Sequence, residues 1–178
     1  MARMTWPQVA AALAKRPVVL THLLVVDNHR SNAPFVEAAA RTVRGETGAL
    51  IGSFFPWGTI INHAPSHYQD FVAVFGHGGE PETSTALQLY PEWVDMAQAR
   101  ADAFAPFRGQ PMKSAGEPAI GKAAAHLWIN NSEISTTGTR GDPTVADAAR
   151  GRRLVDAAVD ELVNVIEAFQ KIVTEVKR

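Results

Sequence analysis

The stretch from Val18 to Val26 reads VVLTHLLVV, and the polar hexad DNHRSN follows it at once, at Asp27–Asn32. An apolar run of this kind is typical of a strand buried on both faces, as in a parallel sheet between helices. Pro34–Val43 then has the spacing of a helix, and Ala49–Phe55 is a second apolar run. Strand, helix and strand over about forty residues predict a β-α-β unit with a right-handed crossover.

The composition is that of an ordinary globular domain. The chain has 178 residues, with 17 Lys plus Arg against 18 Asp plus Glu, and we expect residues 1–178 to form a single domain. A net charge of −1 gives no electrostatic reason to expect nucleic acid or an anionic membrane as a partner. Because the chain has no cysteine, any metal must be held by His, Asp and Glu.

The N-terminal region lacks the pattern of an export signal, because Lys15, Arg16 and Pro17 interrupt its apolar stretch. The longest run without charged residues, Thr47–Gln69, contains two prolines and two histidines and does not read as a membrane span. We therefore expect a soluble, cytoplasmic protein.

The second half of the chain predicts loops that lead to one long helix. Pro56–Tyr68 is expected to be a loop, Glu80–Leu89 a helix and His126–Ile129 a short strand. Asp142-Pro143 supplies an N-cap followed by proline at the first helical position. Apolar residues three or four apart, from Leu154 to Val176, then predict a long amphipathic helix. Gly151 near its start is expected to weaken it by about 1 kcal/mol relative to Ala.

Two patterns carry little chemistry. Gly116–Lys122 has the spacing of a phosphate-binding P-loop, but Ala123 stands where the motif needs Ser or Thr. His63 and His67 have the spacing of two metal ligands on a helix. Pro65 lies between them, so two loop histidines are the simpler interpretation, and a role in lining a polar pocket is the alternative.

Two polar clusters are better candidates for a site. The DNHRSN hexad follows a buried strand, at the sheet edge where open α/β folds place their sites. His29 is displayed there as a ligand or acid/base group, or simply as a turn residue, and Ser31 or Asn32 can cap the next helix.

The segment His77–Ser84 reads HGGEPETS and is the densest polar cluster. His77, Glu80 and Glu82 match the residue types that bind divalent metals. Gly78 and Gly79 would let a substrate approach the backbone closely. A capped helix with acidic residues in its first turn explains the same pattern equally well.

Three stretches together resemble the creatininase (creatinine amidohydrolase) family, over residues 21–178. Val25–Asn32 is similar to the family's strand-end motif V-N-G-H-G-G-N. His77–Ser84, continuing through Leu87–Pro91, is similar to its H-x-G-E-x-E-T-S segment, and Gly141–Thr144 with the final helix to its C-terminal signature.

The resemblance implies a three-layer α/β/α sandwich with a mostly parallel sheet, assembled as a homo-oligomer. It implies a metal-dependent amidohydrolase that cleaves a C–N bond in a small cyclic or formyl amide, with Zn, Mn or Fe as the divalent metal. By the same resemblance His29 and Glu80 are metal ligands, and His77 passes a proton to the leaving nitrogen. Glu82 supports His77, and Gly78 and Gly79 contact the substrate.

The chain departs from the family pattern between Leu20 and Thr21. Members continue there into an E-x-H-G segment and a downstream Asp, which supply further metal ligands, and several dozen residues are missing here. The fold is then incomplete on its N-terminal side. The remaining ligands are expected to hold at most one weakly bound ion, with poor hydrolysis of cyclic amides. The alternative is a non-catalytic shortened relative that acts as an oligomerising or partner subunit.

Overall fold

The predicted β-α-β unit is present in a computed structural model, which describes residues 22–114, 117–120 and 126–172. Strand β1 is His22–Val26, helix α1 is Ala33–Thr47 and strand β2 is Leu50–Phe54. β1 and β2 pair in parallel, from His22 opposite Leu50 to Val26 opposite Phe54. The α/β class and the parallel pairing are thus confirmed. The start of the apolar run, at Val18–Thr21, and the gap between Leu20 and Thr21 lie outside the described residues.

Helix α1 has a defined end and an unusual start. It ends at Gly48, which has a φ of 75° and donates its N–H to the Arg44 carbonyl. This left-handed conformation is the usual role of glycine after a helix. Asn32 occupies the N-cap position, but its side chain makes no capping bond and instead donates to the Asp27 carboxylate at 3.0 Å.

The remaining elements follow in chain order. They are helix α2 (Pro56–His63), helix α3 (Phe71–Val74), helix α4 (Glu82–Leu89), strand β3 (Met112–Ser114), strand β4 (Glu117–Pro118) and helix α5 (Ala148–Gln170). β3 and β4 pair antiparallel. None of the helices in the described ranges is both long enough and apolar enough for a bilayer crossing.

The described residues divide into two compact units. The first holds the residues up to Phe55 and those from Leu162 onward, and the second holds Pro56–Glu161. In the first unit the Phe169 ring lies edge-on to His22, with centroids 5.5 Å apart. The same ring would meet a Cβ on Gly52 at 3.0 Å, so glycine gives it room against β2.

The core of the second unit lies between α2 and α5. Ile60 and Ala64 bury their side chains with Leu154 and Ala158, and Trp57, Tyr68 and Phe71 pack around them. Gly151 belongs to this contact: a Cβ on it would lie 1.9 Å from the Ser84 carbonyl oxygen. The glycine therefore lets α5 approach α4, in addition to weakening the helix.

Two local predictions of secondary structure were wrong. Pro56–Tyr68 is a helix followed by the 3₁₀-helix Ala64–His67, because Ile60 and Ala64, one turn apart, have α5 to pack against. His126–Ile129 forms no strand, and Trp128 within it is 90% exposed.

The start of the long helix also differs. Asp142 caps only the short 3₁₀-helix Pro143–Val145, through a 2.8 Å bond from the Thr144 N–H. α5 begins at Ala148, where the Asp147 carboxylate accepts from the Ala149 N–H at 2.9 Å. Helix α4 begins at Glu82, two residues later than predicted.

Candidate functional site

The loop that carries His77 connects α3 to α4, and its backbone is fixed from three directions. The Glu82 carboxylate accepts the Gly78 N–H at 2.7 Å, and the Thr83 hydroxyl donates to the Gly78 carbonyl at 3.1 Å. The Arg140 N–H donates to the His77 carbonyl at 2.7 Å. The His77 side chain is exposed. A titratable side chain thus faces solvent from a backbone that is held in place.

The glycines of this loop have different surroundings. A Cβ on Gly76 would lie 2.1 Å from the Arg140 carbonyl oxygen, and one on Gly79 would lie 2.6 Å from the same atom. The space beside Gly79 is therefore filled by the protein's own backbone. Gly78 has a φ of 64° and is partly exposed, so it is the glycine of the pair that remains accessible to a ligand.

Glu80 is the buried acid of the site, with 0% of its surface exposed. The Tyr68 hydroxyl donates to one carboxylate oxygen, and the Ser84 hydroxyl donates to the other at 2.9 Å. Ser84 in turn accepts the Asp147 N–H at 2.9 Å, which links α4 to the start of α5. Both oxygens of Glu80 are hence engaged within the protein.

Burial dominates the electrostatics of this group. It raises the pKa of the Glu80 carboxyl above its ordinary value, although the Tyr68 and Ser84 hydroxyls and the Arg150 charge act in the opposite direction. Burial and the neighbouring Glu80 also raise the pKa of the Tyr68 hydroxyl. The Arg150 guanidinium lies 4.4 Å from the centroid of the Tyr68 ring and donates to the Val145 carbonyl at 3.0 Å. The positive charge of Arg150 therefore partly offsets the negative charge of an ionised Glu80 carboxylate.

His29 lies in the first unit, in the exposed turn after β1. The Asp27 carboxylate organises this turn, because one of its oxygens accepts both the His29 N–H at 3.1 Å and the Asn32 side-chain amide. His77, Glu80 and Glu82 come from one segment of the second unit. That His29 shares an ion with Glu80 stays a prediction.

The described residues contain no cluster of three or more His, Asp or Glu side chains that could hold a divalent metal ion. Glu80 is 0% exposed and each of its carboxylate oxygens already accepts a hydroxyl, so an ion has no direct access to it from solvent. Within the described residues, the donor set therefore does not fit the metal centre that the resemblance implies.

Sequence reasoning missed the residues that surround Glu80. Tyr68 is 12 positions away from it, and the bond between Ser84 and Asp147 spans 63 positions. Neither separation belongs to a helical or strand period, so no local pattern could have joined these residues.

A cavity of about 230 Å³ lies beside the His77 loop. Its wall includes Gly78 and Thr83 from the candidate segment, with Asp95, Arg100 and Thr139 opposite. The cavity is smaller than most drug-binding pockets, which begin near roughly 300 Å³. Its size suits a small molecule.

Solved structures define the class of fold. A protein from Bacteroides fragilis NCTC 9343 with a provisional assignment as a creatinine amidohydrolase superposes with a TM-score of 0.67 at 20% identity, over 96% of this chain and 64% of that one. A crystal structure of creatinine amidohydrolase (creatininase) gives a TM-score of 0.56 at 18% identity, over 92% of this chain and 61% of that one. Creatininase structures of similar likeness include Zn-Zn and Mn forms. These likenesses define an α/β protein with the creatininase fold.

Sequence comparison identifies the family. The family described as "Creatininase: Creatinine amidohydrolase" matches residues 20–166, so the chain belongs to the creatininase family, whose members are hydrolases. The mycofactocin precursor peptide peptidase of Mycobacterium tuberculosis is 39% identical over 87 residues, which are 49% of this chain and 30% of that protein. The chain thus spans less than two thirds of the length of these relatives.

Proposed function

We propose that this protein is a creatininase-type amidohydrolase that cleaves a C–N bond in a small cyclic or formyl amide, with His77 as the group that protonates the leaving nitrogen. The observation that carries the proposal is the fixed backbone around His77, with Glu82, Thr83 and Arg140 each bonded to it. General acid catalysis needs a proton donor held in one position relative to the bond that breaks.

The residues around His77 have separable roles in this proposal. The imidazole of His77 is the group that would pass a proton to the leaving nitrogen. Glu82 acts through the loop, because its carboxylate binds the Gly78 N–H rather than the substrate. Glu82 is therefore a positioning residue, and Gly78 borders the cavity in which the amide would lie.

A divalent ion, Zn, Mn or Fe, is part of the proposal because solved creatininases include Zn-Zn and Mn forms. Such an ion would supply an activated water, but no step of the proposal is assigned to it, because the described residues do not fit it. His29 and Glu80 are its ligands by resemblance only, since the described residues do not form a site for it. The roles proposed for His77 and Glu82 rest on the hydrogen bonds that hold the loop backbone. Because the described residues do not form a site for the ion, we expect the isolated protein to turn over substrate slowly.

A steady-state assay with creatinine and an N-formyl amide tests the proposal, with and without added Zn²⁺ or Mn²⁺. Replacing His77 by Ala should lower the rate about 10²–10⁴-fold, the usual worth of a positioned acid or base. His126→Ala is the matched control, because His126 is also exposed and lies in the same unit, next to Trp128. Equal rates for the wild type and His77→Ala would refute the role of His77.

A second candidate function is favoured by the engagement of both Glu80 oxygens. In it, the protein is a non-catalytic relative that assembles with itself or with full-length subunits. Metal analysis and sedimentation separate the two candidates. Near-stoichiometric metal with His77-dependent turnover supports the hydrolase. An oligomer without metal or turnover supports the non-catalytic subunit.

A further inference from the structure

Four basic side chains flank one helix contact in the second unit. His63 ends α2 and His67 ends the 3₁₀-helix after it, while Arg150 and Arg153 lie in the first two turns of α5. The buried contact of Ile60 and Ala64 with Leu154 and Ala158 brings the two elements together. The Arg150 guanidinium lies over the ring of Tyr68, the residue after His67. The histidine pair that stood out in the sequence therefore lies beside two arginines.

The basic cluster is defined as His63, His67, Arg150 and Arg153. Within it, the charge of Arg150 also acts on the buried Glu80, although the two do not form an ion pair. None of its members forms an ion pair with a described carboxylate. Of the acidic residues nearest in sequence, the Asp70 carboxylate caps α3 and the Asp147 carboxylate accepts the Ala149 N–H, while the exposed Asp156 lies three residues after Arg153 in α5.

The positive charges of the cluster repel one another. Its arginines lie near the N-terminus of the 23-residue α5, the positive end of the helix dipole, where cations are disfavoured. Burial lowers the pKa of His67, and the charges of Arg153, Arg150 and His63 lower it further. A bound anion would relieve this repulsion, whereas a metal cation would increase it.

We propose that His63, His67, Arg150 and Arg153 form a binding site for a small oxyanion, a phosphate or carboxylate group. Arginine presents a fork of N–H donors that matches both groups, and such charge-assisted bonds are the strong ones. Arg153 and His63 are exposed, so a ligand can reach the site from solvent. The site is separate from His77 and does not depend on the proposed amide hydrolysis.

Titration of the full chain with inorganic phosphate, and separately with acetate, tests the site by calorimetry and by the NMR signals of the His67 ring. Arg153→Gln should weaken binding about tenfold or more, the effect of losing one charge-assisted contact. Arg152→Gln is the matched control, because it removes the same charge at the next position, and Arg152 is not among the charges that act on His67. This variant should change the affinity less than about twofold.

The affinities measured for phosphate and for acetate show which group the site prefers, because both anions would bind the same donors. If Arg152→Gln and Arg153→Gln weaken anion binding equally, only the net charge of the protein matters, and the proposed site is overturned. Absence of binding by the wild type at about 10 mM of either anion would overturn it as well. His67→Gln gives a second variant, and it should lower the affinity while the thermal unfolding transition remains cooperative.

Discussion

The carboxyl group of Glu80 is buried away from water. The hydroxyl groups of Tyr68 and Ser84 take the place of the water molecules that it would otherwise bind. A buried polar group that loses its partner costs more free energy than the bond itself contributes. The side chains around Glu80 are therefore the sensitive residues of the second unit, whether or not the protein binds a ligand.

Replacing Tyr68 by Phe removes one of these hydroxyls and keeps the ring. We expect the free energy of unfolding to fall by about 1–3 kcal/mol, because a Glu80 oxygen is left without its donor. Tyr90→Phe is the control: Tyr90 is half-exposed and stacks on Trp93, so its change should stay within about 0.5 kcal/mol. Urea unfolding of both variants at neutral pH measures the difference, and equal small effects would show that the Tyr68 bond contributes little.

The raised pKa of Glu80 predicts a pH response of definite sign. The folded protein keeps the Glu80 carboxyl protonated to a higher pH than the unfolded chain does. The contribution of this proton to the free energy of unfolding is therefore fully present below the ordinary pKa of 4.5. It is lost as the pH rises through the raised folded value. The stability of the wild type relative to Glu80→Gln should therefore decrease with rising pH above 4.5, by at most about 1.4 kcal/mol per unit. Denaturant unfolding of both proteins across this range, with a chelator present, measures the trend. A constant or increasing difference would contradict it.

At the scale of elements, the contact between α4 and α5 is set by backbone proximity. A Cβ on Gly151 would lie 1.9 Å from the Ser84 carbonyl oxygen and 3.1 Å from the Thr85 nitrogen. Backbone atoms cannot rotate away as a flexible side chain can, so the two helices would have to separate.

Gly151→Ala should consequently destabilise the protein, although alanine is the better helix former. We expect a loss of about 1–3 kcal/mol, typical of overpacking. Gly45→Ala in α1 makes the same chemical change where nothing lies within 4 Å, and it should stabilise the protein by up to about 1 kcal/mol. The thermal unfolding midpoint should fall for Gly151→Ala and rise for Gly45→Ala. A gain in both would mean that the contact between α4 and α5 adjusts freely.

At the scale of the whole molecule, sequence patterns predicted what depends on neighbours along the chain. The apolar runs around α1 predicted the parallel pair β1 and β2. The residues of His77–Ser84 predicted a polar cluster, in which Glu82 bonds to the Gly78 N–H and Ser84 bonds to Glu80. The network around Glu80 was not predictable in the same way, because Ser84 meets Asp147 only after the chain has folded.

The segment Pro56–Tyr68 is a second case in which packing against a distant element decides the local structure. Its prolines, histidines and aromatic residues are typical of a loop, yet burial of Ile60 and Ala64 against α5 stabilises a helix there. The partner face lies some ninety residues later in the chain, beyond the reach of any local pattern. The basic cluster at His63 and His67 follows from this packing and was hidden for the same reason.

Two glycines that pack closely against the backbone near His77, Gly76 and Gly141, also limit which substitutions the protein can accumulate over generations. The backbone of Arg140 fills the space beside Gly76, and the Val74 carbonyl would lie 2.3 Å from a Cβ on Gly141. In a library of all single substitutions, both positions should reject every other amino acid, while the exposed His77 between them should accept any residue that selection for folding alone allows. A lineage can therefore lose the chemistry of this loop, and later regain it, by single steps that leave the scaffold unchanged.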